Sequence, residues 1–246
     1  MMRRETLLTS YSPNGFHHFA LKPKLESRIV CQSEVPGFAG EQFRLLAKNL
    51  SGQCPEGGVI LVTSPTKGDG KTLNVANLAL CLAAGAPTLL LEADLRQPGL
   101  AQIINYQPQI GVEAAMRGEV KPEAVVGVSD DGIPFHVAAV SKVPSNPDRL
   151  LKSAAMDNLI KWARSKFFWV LLDCPPLIPV ADVMELLPHS DAVLLVVRVR
   201  STPVELIKKS TQVLGDRLKG VILNEASLCE DSYYHYLTDY YANSRK

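Results

Sequence analysis

A lysine and a threonine stand directly behind two closely spaced glycines, in the stretch Thr66–Leu73. The preceding run, Val59–Val62, is short, apolar and rich in β-branched residues, which predicts a strand buried on both faces. The following run, Leu73–Ala84, contains no glycine or proline and predicts a helix. A strand, a glycine loop and a helix in this order can cradle phosphate, because the glycines let backbone N–H groups approach phosphate oxygens. The helix N-terminus adds the positive end of its dipole.

Within this cradle the chemistry divides between two side chains. Lys71 would hold the β- and γ-phosphates of a nucleotide, and the hydroxyl of Thr72 would bind Mg²⁺. The usual spacing of such loops has a glycine where this chain has Pro65. An ordinary strand-turn-helix with a lysine at the helix start is therefore the alternative. The predicted nucleotide-binding residues are Thr66, Lys67, Gly68, Asp69, Gly70, Lys71, Thr72 and Leu73.

Two further apolar runs end in acidic residues. Thr88–Leu91 is followed by Glu92 and Asp94, and Phe168–Leu172 is followed by Asp173. Ligands of open α/β sheets bind at the carboxyl ends of the strands, where carboxylates can hold Mg²⁺ or accept a proton from an attacking hydroxyl. A lone aspartate at a strand end is more often a helix cap or a turn residue. These two acidic strand ends, together with the first strand that leads to Lys71 and Thr72, favour a ligand-binding site.

The pattern along the chain alternates between strands and helices. This alternation predicts an α/β fold, a mostly parallel sheet with helices on both faces. The predicted organisation is an irregular lead-in at 1–40, a core domain at 41–228 and a tyrosine-rich tail at 229–246. The other predicted elements are helices at Glu41–Leu50, Gly111–Gly118, Asn146–Lys166 and Thr202–Gly215, and strands at Ile133–Val140, Ala192–Val197 and Val221–Leu223.

Composition narrows the class of protein. A chain of 246 residues with a net charge of +1 is long enough for one α/β domain and lacks the basic excess of nucleic-acid-binding proteins. Its five cysteines are odd in number and include no Cys-x-x-Cys pair, which favours a reduced, cytosolic setting and no structural metal. We expect neither a membrane span nor a secretory signal, because the apolar stretches are short and interrupted.

The three motifs together resemble bacterial tyrosine kinases (BY-kinases) of the CpsD/CapB type, within the MinD/ParA group of P-loop ATPases. Behind the glycine loop, Leu89–Arg96 is similar to an apolar run ending in Asp-x-Asp-x-Arg. Val170–Pro176 is similar to a run ending in Asp-x-Pro-Pro. Gly220–Asn224 also resembles a family stretch, and the resemblance extends from about Glu41 to the C-terminus.

The resemblance implies ATP and Mg²⁺ as cofactors and assigns roles to individual residues. Lys71 and Thr72 would bind phosphates and metal, and Asp173 would support the metal. Glu92 would be a metal-linked carboxylate able to act as base, assisted by Asp94, and Asn224 would contact the adenine. The implied phosphate acceptors are the tail tyrosines Tyr233, Tyr234, Tyr236, Tyr240 and Tyr241.

Two departures from the family pattern bear on activity and assembly. The family has aspartate where this chain has Glu92, which places the carboxylate one methylene further out. A helix pattern linked to ring assembly, Glu-x-x-Arg-x-x-Arg, appears here as Glu41, Arg44 and Ala47, with Lys48 as a partial replacement.

The leading function is therefore an ATP-dependent protein-tyrosine autokinase that regulates exopolysaccharide or capsule polymerisation and export. It would be cytoplasmic, able to form a homo-oligomer, and recruited to the membrane by a membrane-bound polysaccharide co-polymerase. The alternatives are a nucleotide-gated adaptor with little catalysis and a positioning ATPase of the MinD/ParA type. An aromatic stripe packed on the domain is the alternative for the tyrosine tail.

Overall fold

The structure is a computed structural model, and it describes residues 15–21, 23, 28–31, 37–130, 135–178 and 181–226. The strands are β1 His17–Phe19, β2 Gly58–Thr63, β3 Thr88–Glu92, β4 Gly127–Ser129, β5 Phe135–Ala138, β6 Trp169–Asp173, β7 Ala192–Arg198 and β8 Leu218–Asn224. The helices are α1 Phe38–Gln53, α2 Lys71–Ala83, α3 Leu100–Ile103, α4 Val112–Met116, α5 Pro147–Leu151, α6 Ala154–Lys166, α7 Asp182–Leu186 and α8 Val204–Leu214.

All eight strands form one sheet in the order β1-β4-β5-β3-β6-β2-β7-β8. Every neighbouring pair is parallel except β4 and β5, which run antiparallel. This arrangement confirms the predicted mostly parallel sheet. The strands at the centre of the sheet, β3, β6 and β2, are those whose ends carry the candidate chemistry.

The hydrophobic core lies on both faces of the sheet. In β2, Leu61 packs with α4 and α6 on one face, whereas Ile60 and Val62 pack with α1 and α2 on the other. All three side chains are fully buried. Helices therefore cover both faces, and the continuous apolar runs of the central strands follow from burial on both sides.

Short elements depart from the sequence-based boundaries. The lead-in, predicted to be mostly irregular, contributes β1, which pairs with β4. The single helix predicted from Asn146 to Lys166 is wrong, because the chain leaves the helix at Lys152 and restarts after Ser153. Ser153 has extended backbone angles and its hydroxyl accepts a hydrogen bond from the Met156 amide, which caps the second helix. The last strand begins at Leu218, three residues before its predicted start.

Candidate functional site

The loop between β2 and α2 has the backbone shape of a phosphate cradle. Gly68 and Gly70 both have positive φ angles, of 88° and 94°. A Cβ atom on Gly70 would lie 2.1 Å from the side-chain nitrogen of Asn224, so this position has no space for a side chain. The helix starts at Lys71, directly after Gly70. The first N–H groups of α2 are therefore available beside the loop, as phosphate binding requires.

Asp69 and Asn224 brace this loop from within. The buried Asp69 carboxylate accepts hydrogen bonds from the Thr66 amide at 2.8 Å and from the Thr202 hydroxyl at 2.8 Å. The side-chain amide of Asn224 donates to the Asp69 carbonyl at 2.9 Å. Both residues were predicted to contact nucleotide. In this structure their polar groups fix the shape of the loop, and the predicted adenine contact of Asn224 stays a prediction.

Asp173 is an unpaired carboxylate in the middle of the sheet. Strand register places it opposite Val62 of β2 on one side and Glu92 of β3 on the other. The side chain is fully buried, and neither oxygen has a hydrogen-bond partner among the described residues. Burial raises the pKa of this carboxyl to about 7, against the lowering effect of the nearby Lys71 ammonium. A buried carboxylate without a close hydrogen-bond partner is costly, so the chemistry of Asp173 suits a bound cation.

Lys71 and Asp94 form the charged pair of the site. The Lys71 ammonium lies 3.8 Å from an Asp94 carboxylate oxygen, and both side chains are more than nine-tenths buried. The other Asp94 oxygen accepts a hydrogen bond from the Gln97 amide. Burial raises the pKa of Asp94, whereas the Lys71 charge opposes that rise. Asp94 is thus a carboxylate of increased basicity next to the lysine predicted to bind phosphate.

Glu92 points away from this pair and into the protein. One carboxylate oxygen accepts hydrogen bonds from the Gly99 and Leu100 amides, each at 2.7 Å. The other accepts from the Val140 amide at 2.8 Å. The side chain is fully buried and does not line the cleft beside the cradle. This placement differs from the predicted metal-linked base, because the additional methylene lets the carboxylate reach the backbone of two loops.

A second buried glutamate continues the same support. The Glu113 carboxylate accepts hydrogen bonds from the Ser141 amide, the Ser141 hydroxyl and the Lys142 amide. Glu92 and Glu113 together therefore bind three consecutive backbone amides, from Val140 to Lys142. The segment after β5 is held in place by carboxylates rather than by regular secondary structure.

The cleft beside the cradle has a volume of about 470 Å³. Of the predicted site residues, the structure brings six of the cradle and one carboxylate to its wall: Lys67, Gly68, Gly70, Lys71, Thr72, Leu73 and Asp94. Sequence reasoning missed five further lining residues: Arg96, Gln97, Ile103, Pro175 and Pro176.

Three of the missed residues had a signal in the sequence. Arg96, Pro175 and Pro176 belong to the motifs quoted above, but no function was assigned to them. The Arg96 guanidinium makes two hydrogen bonds to the buried Asp182 carboxylate, at 2.6 and 3.0 Å, which fixes a positive charge at the cleft. Gln97 and Ile103 had no signal, because they reach the cleft only through the turn that leads into α3.

Two oxygen donors at and behind the cleft fit Mg²⁺. Thr72 lines the cleft and offers a hydroxyl, whereas Asp173 is buried behind the lining residues, close enough to Thr72 and Lys71 for both to lower its pKa. Hard oxygen ligands suit this ion. Among the described residues no group of three or more His, Cys, Asp or Glu side chains could hold a metal ion.

Other predicted features lie outside the cleft or outside the described residues. The tyrosines from Tyr233 to Tyr241 fall in the latter group. On α1, Glu41 and Arg44 form an ion pair, whereas Ala47 is buried in the core. A helix of the length and apolarity needed to span a bilayer does not occur in the described part of the chain.

Comparison with known sequences finds relatives that match most of this chain. The chain is 36% identical over 218 residues to the succinoglycan biosynthesis transport protein ExoP of Rhizobium meliloti (strain 1021), a match that covers 85% of this chain and 27% of ExoP. It is 27% identical over 219 residues to the tyrosine-protein kinase YwqD of Bacillus subtilis (strain 168), covering 87% of this chain and 92% of YwqD. The chain thus spans about a quarter of ExoP and nearly all of YwqD. No family model matches the chain.

Comparison with solved structures finds domains that superpose on this chain. The kinase domain of VpsO superposes with a TM-score of 0.70 at 28% identity, covering 77% of this chain and 97% of that domain. The septum site-determining protein MinD of Pyrococcus horikoshii OT3, complexed with Mg-ADP, superposes with a TM-score of 0.58 at 21% identity, covering 70% and 72%. The second likeness shows a shared fold.

Proposed function

We infer that this chain, which belongs to the bacterial tyrosine kinases of the MinD/ParA group of P-loop ATPases, is an ATP-dependent protein-tyrosine autokinase. The reaction moves the γ-phosphoryl group of ATP to tyrosines of the C-terminal tail. The observation that carries this proposal is the convergence of Lys71, Asp94 and Asp173 at the ends of three adjacent parallel strands. Each side chain supplies one part of phosphoryl transfer.

The cradle binds and orients the phosphates. The backbone N–H groups at Gly68, Gly70 and the start of α2 hold phosphate oxygens, and Lys71 places its charge on the β- and γ-phosphates. Mg²⁺, held by Thr72 and Asp173, would neutralise charge on the phosphate oxygens. Arg96, fixed by its ion pair with Asp182, adds a positive charge at the same cleft. Positioning and electrostatic stabilisation are the main sources of rate in such reactions.

Asp94 is the better-placed base for the tyrosine hydroxyl. It lines the cleft and its pKa is raised by burial, which brings a carboxylate closer to the basicity that proton transfer requires. Glu92 acts through the backbone instead, as a positioning residue that fixes the turns at Gly99 and Val140. The predicted assignment of Glu92 as base is thereby replaced in this proposal by Asp94.

The acceptors and partners follow from the family and from the chain's relatives. The proposed phosphate acceptors are the tail tyrosines Tyr233, Tyr234, Tyr236, Tyr240 and Tyr241. The protein would work in the cytoplasm, beside a membrane-bound polysaccharide co-polymerase that recruits it, and in a homo-oligomer. ExoP is named for succinoglycan biosynthesis and transport, which supports a role in exopolysaccharide polymerisation and export.

The test is mass spectrometry of the tail after incubation with Mg²⁺-ATP, in the presence of the cytoplasmic segment of a candidate membrane partner. Phosphate on the tail tyrosines is the expected result, and Lys71→Ala should abolish it. Lys161→Ala, at an exposed position on α6, is the matched control and should leave labelling unchanged. Tail phosphorylation that survives Lys71→Ala would overturn the mechanism.

A nucleotide-gated adaptor is the second candidate. It is favoured because the Glu92 carboxylate points away from the cleft. In that case the chain binds ATP and changes its affinity for a partner, but transfers no phosphate. A protein that binds Mg²⁺-ATP with an unmodified tail, beside its partner, would establish the adaptor. Robust tail labelling would exclude it.

A further inference from the structure

Two cysteines far apart in the sequence bring their sulfur atoms together. The Sγ atoms of Cys31 and Cys81 lie 2.8 Å apart, although the residues are 50 positions apart in the chain. Both are free thiols in the structure, and both are half-buried. Cys31 belongs to the lead-in and Cys81 lies in α2, the helix that begins at Lys71. No part of the proposed kinase reaction uses this pair.

The backbone around Cys31 is docked on α2 independently of the sulfur atoms. The Asn77 side-chain oxygen accepts hydrogen bonds from the Val30 amide at 2.8 Å and from the Cys31 amide at 3.2 Å. Its side-chain nitrogen donates to the Arg28 carbonyl at 3.3 Å. Asn77 precedes Cys81 by four residues, so the two side chains lie on one face of the helix. The sulfur atoms are therefore held close together by a docked segment, and only a short approach separates them from the S–S distance of a disulfide.

The pKa values of the two thiols are shifted in opposite directions. The hydrogen bond between the two thiols lowers the pKa of Cys81, and the nearby Arg44 charge lowers it further. The same hydrogen bond, with burial, raises the pKa of Cys31. Burial also raises the pKa of Cys54 and of Cys174. Because the thiolate is the nucleophile, Cys81 is the cysteine prepared to react first.

We propose that Cys31 and Cys81 form a reversible disulfide when the protein meets a peroxide, and that this bond locks the lead-in onto the cradle helix. The Cys81 thiolate attacks one peroxide oxygen and the O–O bond breaks, which gives a sulfenic acid and a hydroxide that is protonated to water. The Cys31 sulfur then attacks the Cys81 sulfur, the S–O bond breaks, and the departing hydroxide leaves as water with the Cys31 proton. Two thiols and one hydrogen peroxide thus give one disulfide and two waters.

A reduced cytosol does not conflict with this proposal. Disulfides of reduced compartments are typically transient and serve redox sensing, and this pair joins two segments already in contact. In the reduced protein residues 28–31 of the lead-in are held on α2 by the three hydrogen bonds of Asn77. In the oxidised protein a covalent bond would hold it, so exchange of the Val30 and Cys31 amides with solvent should slow.

The experiment exposes the full reduced chain to graded hydrogen peroxide, traps the remaining thiols by alkylation and maps the peptides by mass spectrometry. The expected first product is a Cys31–Cys81 linked peptide, two hydrogens lighter than the separate thiol peptides, that a dithiol reductant converts back. Slower hydrogen exchange at Val30 and Cys31 should accompany it. Cys54→Ser is the matched control and should leave the product unchanged, whereas Cys81→Ser should prevent it.

Two results would overturn the proposal. One is oxidation of Cys54 or Cys229 while Cys31 and Cys81 can still be alkylated. The other is oxidation of Cys81 to a sulfinic acid, or its linkage to a second copy of the chain, without the Cys31–Cys81 peptide. The wild-type peptide map decides the question by itself, so the outcome does not depend on the folding of the serine variants.

Discussion

Replacing Glu92 tests whether its carboxylate supports the backbone or takes part in phosphoryl transfer. The Glu92 carboxylate accepts three backbone hydrogen bonds, from Gly99, Leu100 and Val140. Glutamine has the same length but accepts only through its single carbonyl oxygen. If that oxygen stays with Gly99 and Leu100, the Val140 amide faces an NH₂ group. One unsatisfied buried amide costs about 1–3 kcal/mol, so Glu92→Gln should lower the free energy of unfolding by that amount.

Glu92→Asp introduces the residue that the family pattern has at this position. It should lower the free energy of unfolding more than Glu92→Gln does. Its carboxylate is one methylene shorter and cannot reach the Gly99–Leu100 amides and the Val140 amide together. If the two amides at Gly99 and Leu100 lose their acceptor, Glu92→Asp costs about 2–6 kcal/mol. Urea denaturation measures both variants, with Glu56→Gln at an exposed position as the control that should leave stability unchanged.

The rate of tail phosphorylation should not follow the loss of stability in the Glu92 variants. Glu92→Gln should retain most tail phosphorylation in the folded protein, whereas Asp94→Asn removes the proposed base and should lower the rate about 10²–10⁴-fold. Quantitative mass spectrometry of the tail gives both rates. The reasoning is refuted if Glu92→Gln abolishes phosphate transfer at unchanged stability, because Glu92 would then act on the reacting groups.

Three further predictions concern Asp173, the carboxylate proposed to hold Mg²⁺, and Gly70 in the glycine loop. Because the pKa of Asp173 in the folded protein, about 7, lies above its ordinary value of 3.8, its contribution to stability is present below pH 4 and is lost as the pH rises through 7. Asp173→Asn should therefore raise the free energy of unfolding without nucleotide by up to about 4 kcal/mol at pH 8 and by little at pH 4, measured by urea denaturation. Mg²⁺-ADP should bind about tenfold more weakly for each pH unit below 7, since the metal must displace a proton, and titration calorimetry of Asp173→Asn should lose this dependence. Gly70→Ala should weaken nucleotide binding and lower the melting temperature, because its φ of 94° costs about 1–2 kcal/mol for alanine and the new Cβ displaces Asn224, whereas Gly52→Ala meets open space in α1 and should not destabilise.

Each of these predictions has an outcome that contradicts it. Loss of stability in Asp173→Asn at pH 8 would mean that the carboxylate is paired in solution. Nucleotide affinity that is constant from pH 6 to pH 8 would mean that Asp173 does not hold the metal. Equal melting temperatures for Gly70→Ala and Gly52→Ala would mean that the loop relaxes around a side chain.

The sequence was informative where a pattern extends over a whole element. Strands β2, β3 and β6 are continuous apolar runs buried on both faces, so their positions and their polar ends could be predicted together. Because all three are parallel, their carboxyl ends lie at one edge of the sheet, which brings Lys71, Asp94 and Asp173 together.

The direction of a side chain at a strand end was not available from the sequence. Glu92 and Asp94 are two residues apart in one motif, yet one faces two distant loops and the other faces Lys71. The amides that receive Glu92, at Gly99, Leu100 and Val140, are specified only by tertiary structure. The same limit applies to β1 and β4, three-residue strands without a periodicity of their own. β1 forms by pairing with β4, and β4 lies between β1 and β5 in the sheet.

The strand order also has a consequence for synthesis of the chain on the ribosome. Strand β2 is made early, but its neighbours in the sheet, β6 and β7, are made about a hundred residues later. At about 5–20 residues per second, β2 waits roughly 5–20 s before any partner strand exists. During that interval an apolar strand without its sheet neighbours is exposed, which makes the nascent chain prone to aggregation. If Asp173 holds the metal as proposed, nucleotide would stabilise the fold only after β6 has been made, and its binding would be a late event in the life of each new molecule.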